Sequence, residues 1–261
     1  MELLTISALV IREIDYGEND KLLTLLTAER GALTVTVKGA KSIRNKNSSS
    51  AQLLCYSEFT LKERNGYYTL TEASLIEQFF HLRHDMEAFA LAQYVSEVCH
   101  SVSVENESGA ELLSLALNTL YMLCRSDRPV ELVRAAFELR CAVVLGLCPD
   151  VSSCRMCGDD KENAYLDVMN GSLVCSDCFG TDEDERERRA LGTATVLLPV
   201  SDSVLKAMRY VISASPKRIF SFSIPDTQVA DMSRVCEKYL LNQLGRGFKT
   251  LDFYKKIRSM G

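Results

Sequence analysis

The sequence predicts an α+β protein of more than one domain: a small N-terminal antiparallel β-barrel, then an α-helical domain interrupted by a four-cysteine zinc module. Three observations predict it. Over roughly the first eighty residues, short runs rich in branched side chains alternate apolar and polar, the period of half-buried strands. From about Ser74 the apolar residues recur at helical spacing instead. Inside the helical part, Cys154 and Cys157 are followed seventeen residues later by Cys175 and Cys178, two C-x2-C pairs at the spacing of a structural zinc site.

The strands come first. Thr5–Arg12 alternates. Lys21–Thr27 and Leu33–Lys38 are joined by Ala28-Glu29-Arg30-Gly31, a turn with glycine in the left-handed slot. Leu53–Lys62 is a fourth strand and Tyr67–Thr71 a fifth. Between them Asn65-Gly66 is a hairpin signal, because both residues tolerate the positive φ of a type I′ turn. Five short strands with no room for crossover helices suggest a closed or nearly closed barrel. Gly39–Gln52, polar and rich in Ser and Asn, reads as a mobile loop, and Tyr16 as a loop residue.

The helices follow. Asp85–His100 carries Met86, Phe89, Ala90, Tyr94, Val95 and Val98 on one face, and Gly109–Cys124 is a second amphipathic run. Pro129 suits the first turn of a third helix running to about Leu147, apolar on much of its circumference as a central helix would be. Cys148-Pro149 ends it. After a charge-dense stretch, Asp182–Arg189, which reads as a solvated helix face or linker, come helices over Ser203–Ser213 and from Pro225 to Leu244, with Gly245 and Gly247 as stop signals. Lys249–Ile257 is a short last helix. The predicted domains are residues 1–78 for the barrel, 79–150 and 190–261 for the helical domain, and 151–189 for the inserted zinc module.

A two-residue gap lets both thiolates of a pair reach one ion about 2.3 Å away, and two such knuckles complete a tetrahedral shell. Gly158 and Gly180 lie one and two residues beyond their knuckles, where a positive φ turns backbone N–H groups toward sulfur. Four thiolates close the shell, so one zinc ion would hold structure and do no chemistry. The other six cysteines (Cys55, Cys99, Cys124, Cys141, Cys148 and Cys236) are scattered in apolar segments as small buried hydrophobes, which suits a reduced, cytoplasmic compartment. The start, MELLTISALVIREID, has no basic n-region and predicts no signal peptide, and no apolar run is long enough to span a membrane.

The net charge of −5 speaks against nucleic acid, but its distribution does not. Arg30 to Leu70 holds seven cations and two anions, and the residues from Gly245 onward hold five cations and one Asp. Within Lys38-Gly39-Ala40-Lys41-Ser42-Ile43-Arg44-Asn45-Lys46 there are four cations and no anion. Flexible cations beside a small barrel can follow a phosphate backbone. Lys38, Lys41, Arg44 and Lys46 are the first candidates for DNA contact, with Arg12, Lys62 and Arg64 as further ones and Arg246, Lys249, Lys255 and Lys256 as the alternative site. Tyr56, Phe59, Tyr67 and Tyr68 are candidates for base stacking, each weighed against plain core packing. Nothing points to an enzyme. His81 and His84 lack a metal-ligand pattern and read as surface residues, and no Walker, G-x-G-x-x-G or G-x-S-x-G sequence occurs.

Local motifs join these features. They are Asp15-Tyr16-Gly17-Glu18-Asn19-Asp20, Leu26-Thr27 before Gly31, Lys38-Gly39-Ala40-Lys41, Cys148-Pro149 before the knuckles, and Tyr239-Leu240 through Leu244-Gly245-Arg246 to Lys249-Thr250-Leu251. In order and spacing, over nearly the whole chain, they resemble the bacterial RecO family of recombination mediators. The resemblance implies that the barrel is an OB fold. It implies binding of single- and double-stranded DNA, and annealing of complementary strands coated with single-stranded DNA-binding protein. It further implies joint action with RecR to load RecA during repair, at the nucleoid and without hydrolysis. A second reading is a protein-interaction scaffold with little direct DNA contact.

Overall fold

Alternating side chains wind the first part of the chain into a closed barrel. The computed structural model describes residues 2–42, 45–125, 127–160, 162–181, 183, 186 and 196–260. Strands β1 (Glu2–Tyr16), β2 (Asp20–Thr27), β3 (Gly31–Val37), β4 (Tyr56–Arg64) and β5 (Tyr67–Glu77) close in the order β1-β2-β3-β5-β4. Every pairing is antiparallel except a short parallel one that sets Val35 opposite Tyr68 and Thr36 opposite Thr69. That is an OB-like barrel. Its interior takes every second residue of each strand, among them Ile6, Ala8 and Val10 of β1, Leu23 and Leu25 of β2, and Phe59 and Leu61 of β4. Asn65 and Gly66 both have positive φ, 53° and 79°, as the hairpin requires, and Gly31 takes φ 58°.

Several strand ends differ from the sequence reading. β1 runs on to Tyr16, so Tyr16 is a strand residue, because it pairs with Asp20 across the turn. β4 starts at Tyr56 and not at Leu53: the chain turns at Leu54, whose φ is 69°. In the polar segment after β3, Asn47 and Ser50 are tied to the barrel. The Asn47 side chain accepts from the Ala73 N–H at 3.0 Å and donates to the Thr71 carbonyl at 3.4 Å, and Ser57 Oγ donates to the Ser50 carbonyl at 2.7 Å. Asn47, Ser50 and Ala51 are buried there.

By contact the chain forms two units, residues 1–126 with 248–261, and residues 127–247. The first adds three helices to the barrel: α1 (Met86–Val102), α2 (Ala110–Arg125) and α6 (Lys249–Arg258). Asp85 caps α1, its side chain accepting from the N–H groups of Glu87 and Ala88. Helices α1 and α2 pack against β1 and β2. Gly31 and Glu105 form an isolated bridge, and a Cβ on Gly31 would lie 2.1 Å from the Val104 carbonyl oxygen. Glu97 of α1 accepts from the Thr250 N–H at 3.1 Å and from its hydroxyl, which holds the start of α6 against α1.

The second unit holds α3 (Val130–Val144), α4 (Asp202–Ser213) and α5 (Val229–Leu244) with a four-stranded sheet in the order β6-β8-β7-β9. Its strands are β6 (Asp150–Cys154), β7 (Ala164–Asp167), β8 (Ser172–Cys175) and β9 (Leu197–Val200). The sequence reading did not contain them. Helix α3 is not purely apolar at its seam with α5: buried Arg134 donates to Glu138 at 3.0 Å and to Glu237 at 2.6 Å. Gly245 closes α5 with φ 62°, as expected. Asp182–Arg189 falls mostly outside the described residues. Among the described residues, no helix is long and apolar enough to cross a membrane.

Candidate metal centre and nucleic-acid interface

Two strand ends aim the four cysteines at one point. Cys154 closes β6 and Cys175 closes β8, and each strand runs straight into its knuckle. The four sulfurs all lie within 4.8 Å of one another. A tetrahedron with bonds of about 2.3 Å has edges of about 3.8 Å. Cys157 Sγ stands 3.8 Å from Cys175 Sγ, so the donors fit one such ion. None of the ten cysteines is in a disulfide. Gly158 and Gly180 take φ of 75° and 74°. The N–H groups of Met156 and Cys175 donate to Cys154 Sγ at 3.4 and 3.3 Å. Burial opposes a thiolate at Cys154, yet the N–H groups of Cys157, Cys175 and Met156 together lower its pKa to about 7. Cys178 is pushed up, first by its hydrogen bond with Cys175 and then by burial.

The centre is joined to the helices of its own unit through four side chains of α4 and α5. Arg209 of α4 donates to the carbonyls of Val151 and Ser152 at 2.7 and 3.0 Å and to Asp160 at 2.6 Å. Asn242 and Gln243 of α5 both donate to the Val168 carbonyl at 3.1 Å. Tyr239 donates to the Leu147 carbonyl at 2.8 Å. Tyr165 stacks on Phe179 of the second knuckle with centroids 4.0 Å apart. Tyr239, Asn242 and Gln243 lie within the closing Tyr239–Arg246 motif, whereas Tyr165 and Arg209 lie in none of the motifs. Of the six scattered cysteines, Cys55, Cys99, Cys141 and Cys236 are buried as expected, while Cys124 is only half-buried and Cys148 is exposed.

The predicted DNA-contacting cations sit on the barrel strands and on the segment after β3. Lys38 follows Val37, which pairs with Lys21 beside the β1–β2 turn. Lys41 reaches the same turn, with Nζ 3.1 Å from Asp15 and 3.4 Å from the Gly17 carbonyl. Lys46 pairs with Glu72 at 3.2 Å. Arg12 is exposed on β1, its guanidinium 3.2 Å from His100 Nε2. Lys62 and Arg64 lie near the β4–β5 hairpin, where Glu63 pairs with Glu2. The structure brings Lys38 and Lys41 to the β1–β2 turn, and it places Lys62 across β5 from Thr36, because Thr69 pairs with both. Arg44 lies outside the described residues. Of the aromatics, Phe59 and Tyr68 are core residues, since their positions on the strands point inward, and Tyr56 is half-buried. Tyr67 and Tyr16 are exposed, at 79% and 55%. His81 and His84 are exposed in a 3-10 turn, as expected.

Comparison with known proteins decides the lineage. The family profile described as Recombination protein O N terminal matches residues 1–79, and that described as Recombination protein O C terminal matches residues 83–252. The chain belongs to the RecO family. The DNA repair protein RecO of Acetivibrio thermocellus is 31% identical over 259 residues, covering 98% of both chains. Those of Symbiobacterium thermophilum and Alkaliphilus metalliredigens are 27% and 26% identical, covering 99% and 95% of this chain and 99% and 97% of their own. RecO membership thus spans the barrel, the helices and the four-cysteine cluster together.

Proposed function

We propose that this chain is a non-enzymatic, DNA-binding recombination mediator in DNA repair. It binds single- and double-stranded DNA and anneals complementary strands. With RecR it helps load RecA onto strands coated with single-stranded DNA-binding protein, in the cytoplasm at the nucleoid. The observation that supports this reading most is RecO membership across both halves of the chain. Annealing needs no active site. Cations that screen two phosphate backbones let base pairing, itself favourable, nucleate faster. On this reading Lys38, Lys41, Arg44 and Lys46 hold phosphates, Arg12, Lys62 and Arg64 extend the track, and one zinc ion bound by Cys154, Cys157, Cys175 and Cys178 is structural. Zinc fits because an all-thiolate tetrahedral set favours it over harder cations.

The scaffold reading has one observation in its favour. Lys41 and Lys46 are already paired with acids, and the barrel's unit holds 15 Lys and Arg against 17 Asp and Glu. Filter binding of a labelled single strand across a salt series separates the two. A mediator binds alone, and each phosphate contact contributes about 0.7 to the slope of log affinity against log salt. A flat, weak response would favour the scaffold. Complementary strands should also anneal faster with the protein, without ATP, and that gain should vanish at high salt.

A further inference from the structure

A cavity of about 400 Å³ opens in the barrel's unit, between the β1–β2 end of the barrel, the segment after β3 and the 3-10 turn before α1. Its volume is that of a small-ligand site, about 300–1,000 Å³. Two features distinguish it from a packing gap. The first is backbone strain. Among the described residues four non-glycines have positive φ: Leu54, Asn65, Phe79 and Asn106. Asparagine tolerates that conformation; leucine and phenylalanine do not. Leu54 and Phe79 both line this cavity. Strain held at one place by its surroundings marks a site.

The second feature is the chemistry of the wall. Gln52 and Gln78 line the cavity, both half-buried. Gln52 Oε1 accepts from Arg83 at 2.8 Å, which leaves its Nε2, and the whole Gln78 amide, with no hydrogen-bond partner among the described residues. An amide offers a donor and an acceptor side by side, the pattern of a base edge. Phe79 and Phe89 supply aromatic surface. The wall's carboxylate, Glu13, is taken up by Lys21 and by the Leu53 N–H at 3.1 Å, so it does not repel a polyanion strongly. Cations adjoin the lining in sequence: lining residue Ala40 lies between Lys38 and Lys41, and lining residue Asn45 precedes Lys46. A flat, neutral, amide-edged group carried on a phosphate chain matches all of this. We propose that the cavity takes one unstacked nucleobase of a single DNA strand whose phosphates run over the segment after β3. This rests on the reading that the protein binds DNA.

The test uses the full chain and two strands of equal length and charge, one with mixed bases and one with abasic sugars throughout. Binding is read by fluorescence anisotropy at fixed salt. The wild type should bind the intact strand about tenfold more tightly than the abasic one. Ser48→Trp, which fills the cavity from its exposed rim, and Gln78→Leu, which removes the unpartnered amide, should each bring that ratio close to one. Tyr121→Ala, on α2 and outside the cavity lining, should leave most of it. Tight binding of both strands by the wild type, with a ratio near one, overturns the cavity proposal and leaves the DNA reading standing. So does a ratio unchanged in both cavity variants. No binding of either strand overturns the DNA reading and this proposal with it. If Ser48→Trp does not fold, Gln78→Leu and the wild-type ratio still decide.

Discussion

Asp167 is fully buried and its carboxyl is nevertheless held below the usual carboxylate range. Burial works against the charge; the Asn170 amide, Arg155 at 2.7 Å and the Asn170 N–H outweigh it. One oxygen accepts from the N–H groups of Met169 and Asn170 and the other from Asn170 Nδ2 at 2.8 Å, so this one side chain shapes the turn between β7 and β8. Asp167→Ala should cost about 3 kcal/mol in urea unfolding, the usual effect of breaking a buried pair. Its pH dependence has a definite sign. Because the folded pKa lies below the unfolded one, the carboxylate stabilises at all pH above the unfolded value, and that stability is lost as pH falls through the folded value. Asp167→Asn should flatten this part of the acid limb. A second residue bears on function. Asp15 stands 3.1 Å from Lys41 and competes with any phosphate for it. Asp15→Asn should tighten single-strand binding and steepen the salt slope by up to about 0.7, while Lys41→Gln should do the reverse. Equal slopes in both variants would remove Lys41 from the interface.

The knuckles are the element most dependent on their ligand. Strands of four or five residues on a small sheet bury little on their own. Cys175→Ser should release the metal and unfold β6 to β8 with it, since structural metal binding and local folding are one equilibrium. Elemental analysis and proteolysis of the second unit check this; a metal-free variant with an unchanged protease pattern would count against a structural ion. The same contrast explains what could be read from the chain. Cys154, Cys157, Cys175 and Cys178 were legible because two ligands on one tight turn must obey a fixed spacing. Asn65-Gly66 was legible because a two-residue turn needs positive φ twice. Strand β7 was not, because Ala164–Asp167 is too short to show a period. Nor was the cavity: Leu54 and Phe79 are ordinary apolar residues in the sequence, and only the folded backbone shows their strain. Gln52 and Gln78 meet there from segments twenty-six positions apart.

Helical period identified α1, α2 and α6 but not their allegiance, because amphipathicity says that a face is covered and not by what. Their allegiance bears on how function divides over the molecule. A barrel of residues 1–78 reads as a self-sufficient DNA-binding domain, yet its wall is covered by helices. Leu9 of β1 and Leu26 of β2 pair directly, are fully buried, and lie outside the barrel's interior cluster. Ile11, also buried, joins them. Strands β1 and β2 pack on α1 and α2, so these three face the helices. Exposing them costs about 1.5–3 kcal/mol each, against a total stability of about 5–15 kcal/mol for a typical domain. The loss is large enough to decide the outcome. A fragment of residues 1–78 should therefore give no cooperative thermal transition and should bind the dye ANS, whereas the full chain should melt cooperatively. Any DNA binding by that fragment would then report loose cations and not the folded interface, so it should show the salt slope without the preference for intact over abasic strands. A fragment that melts as cleanly as the full chain would return the barrel to independence and leave the helices free for partner proteins alone.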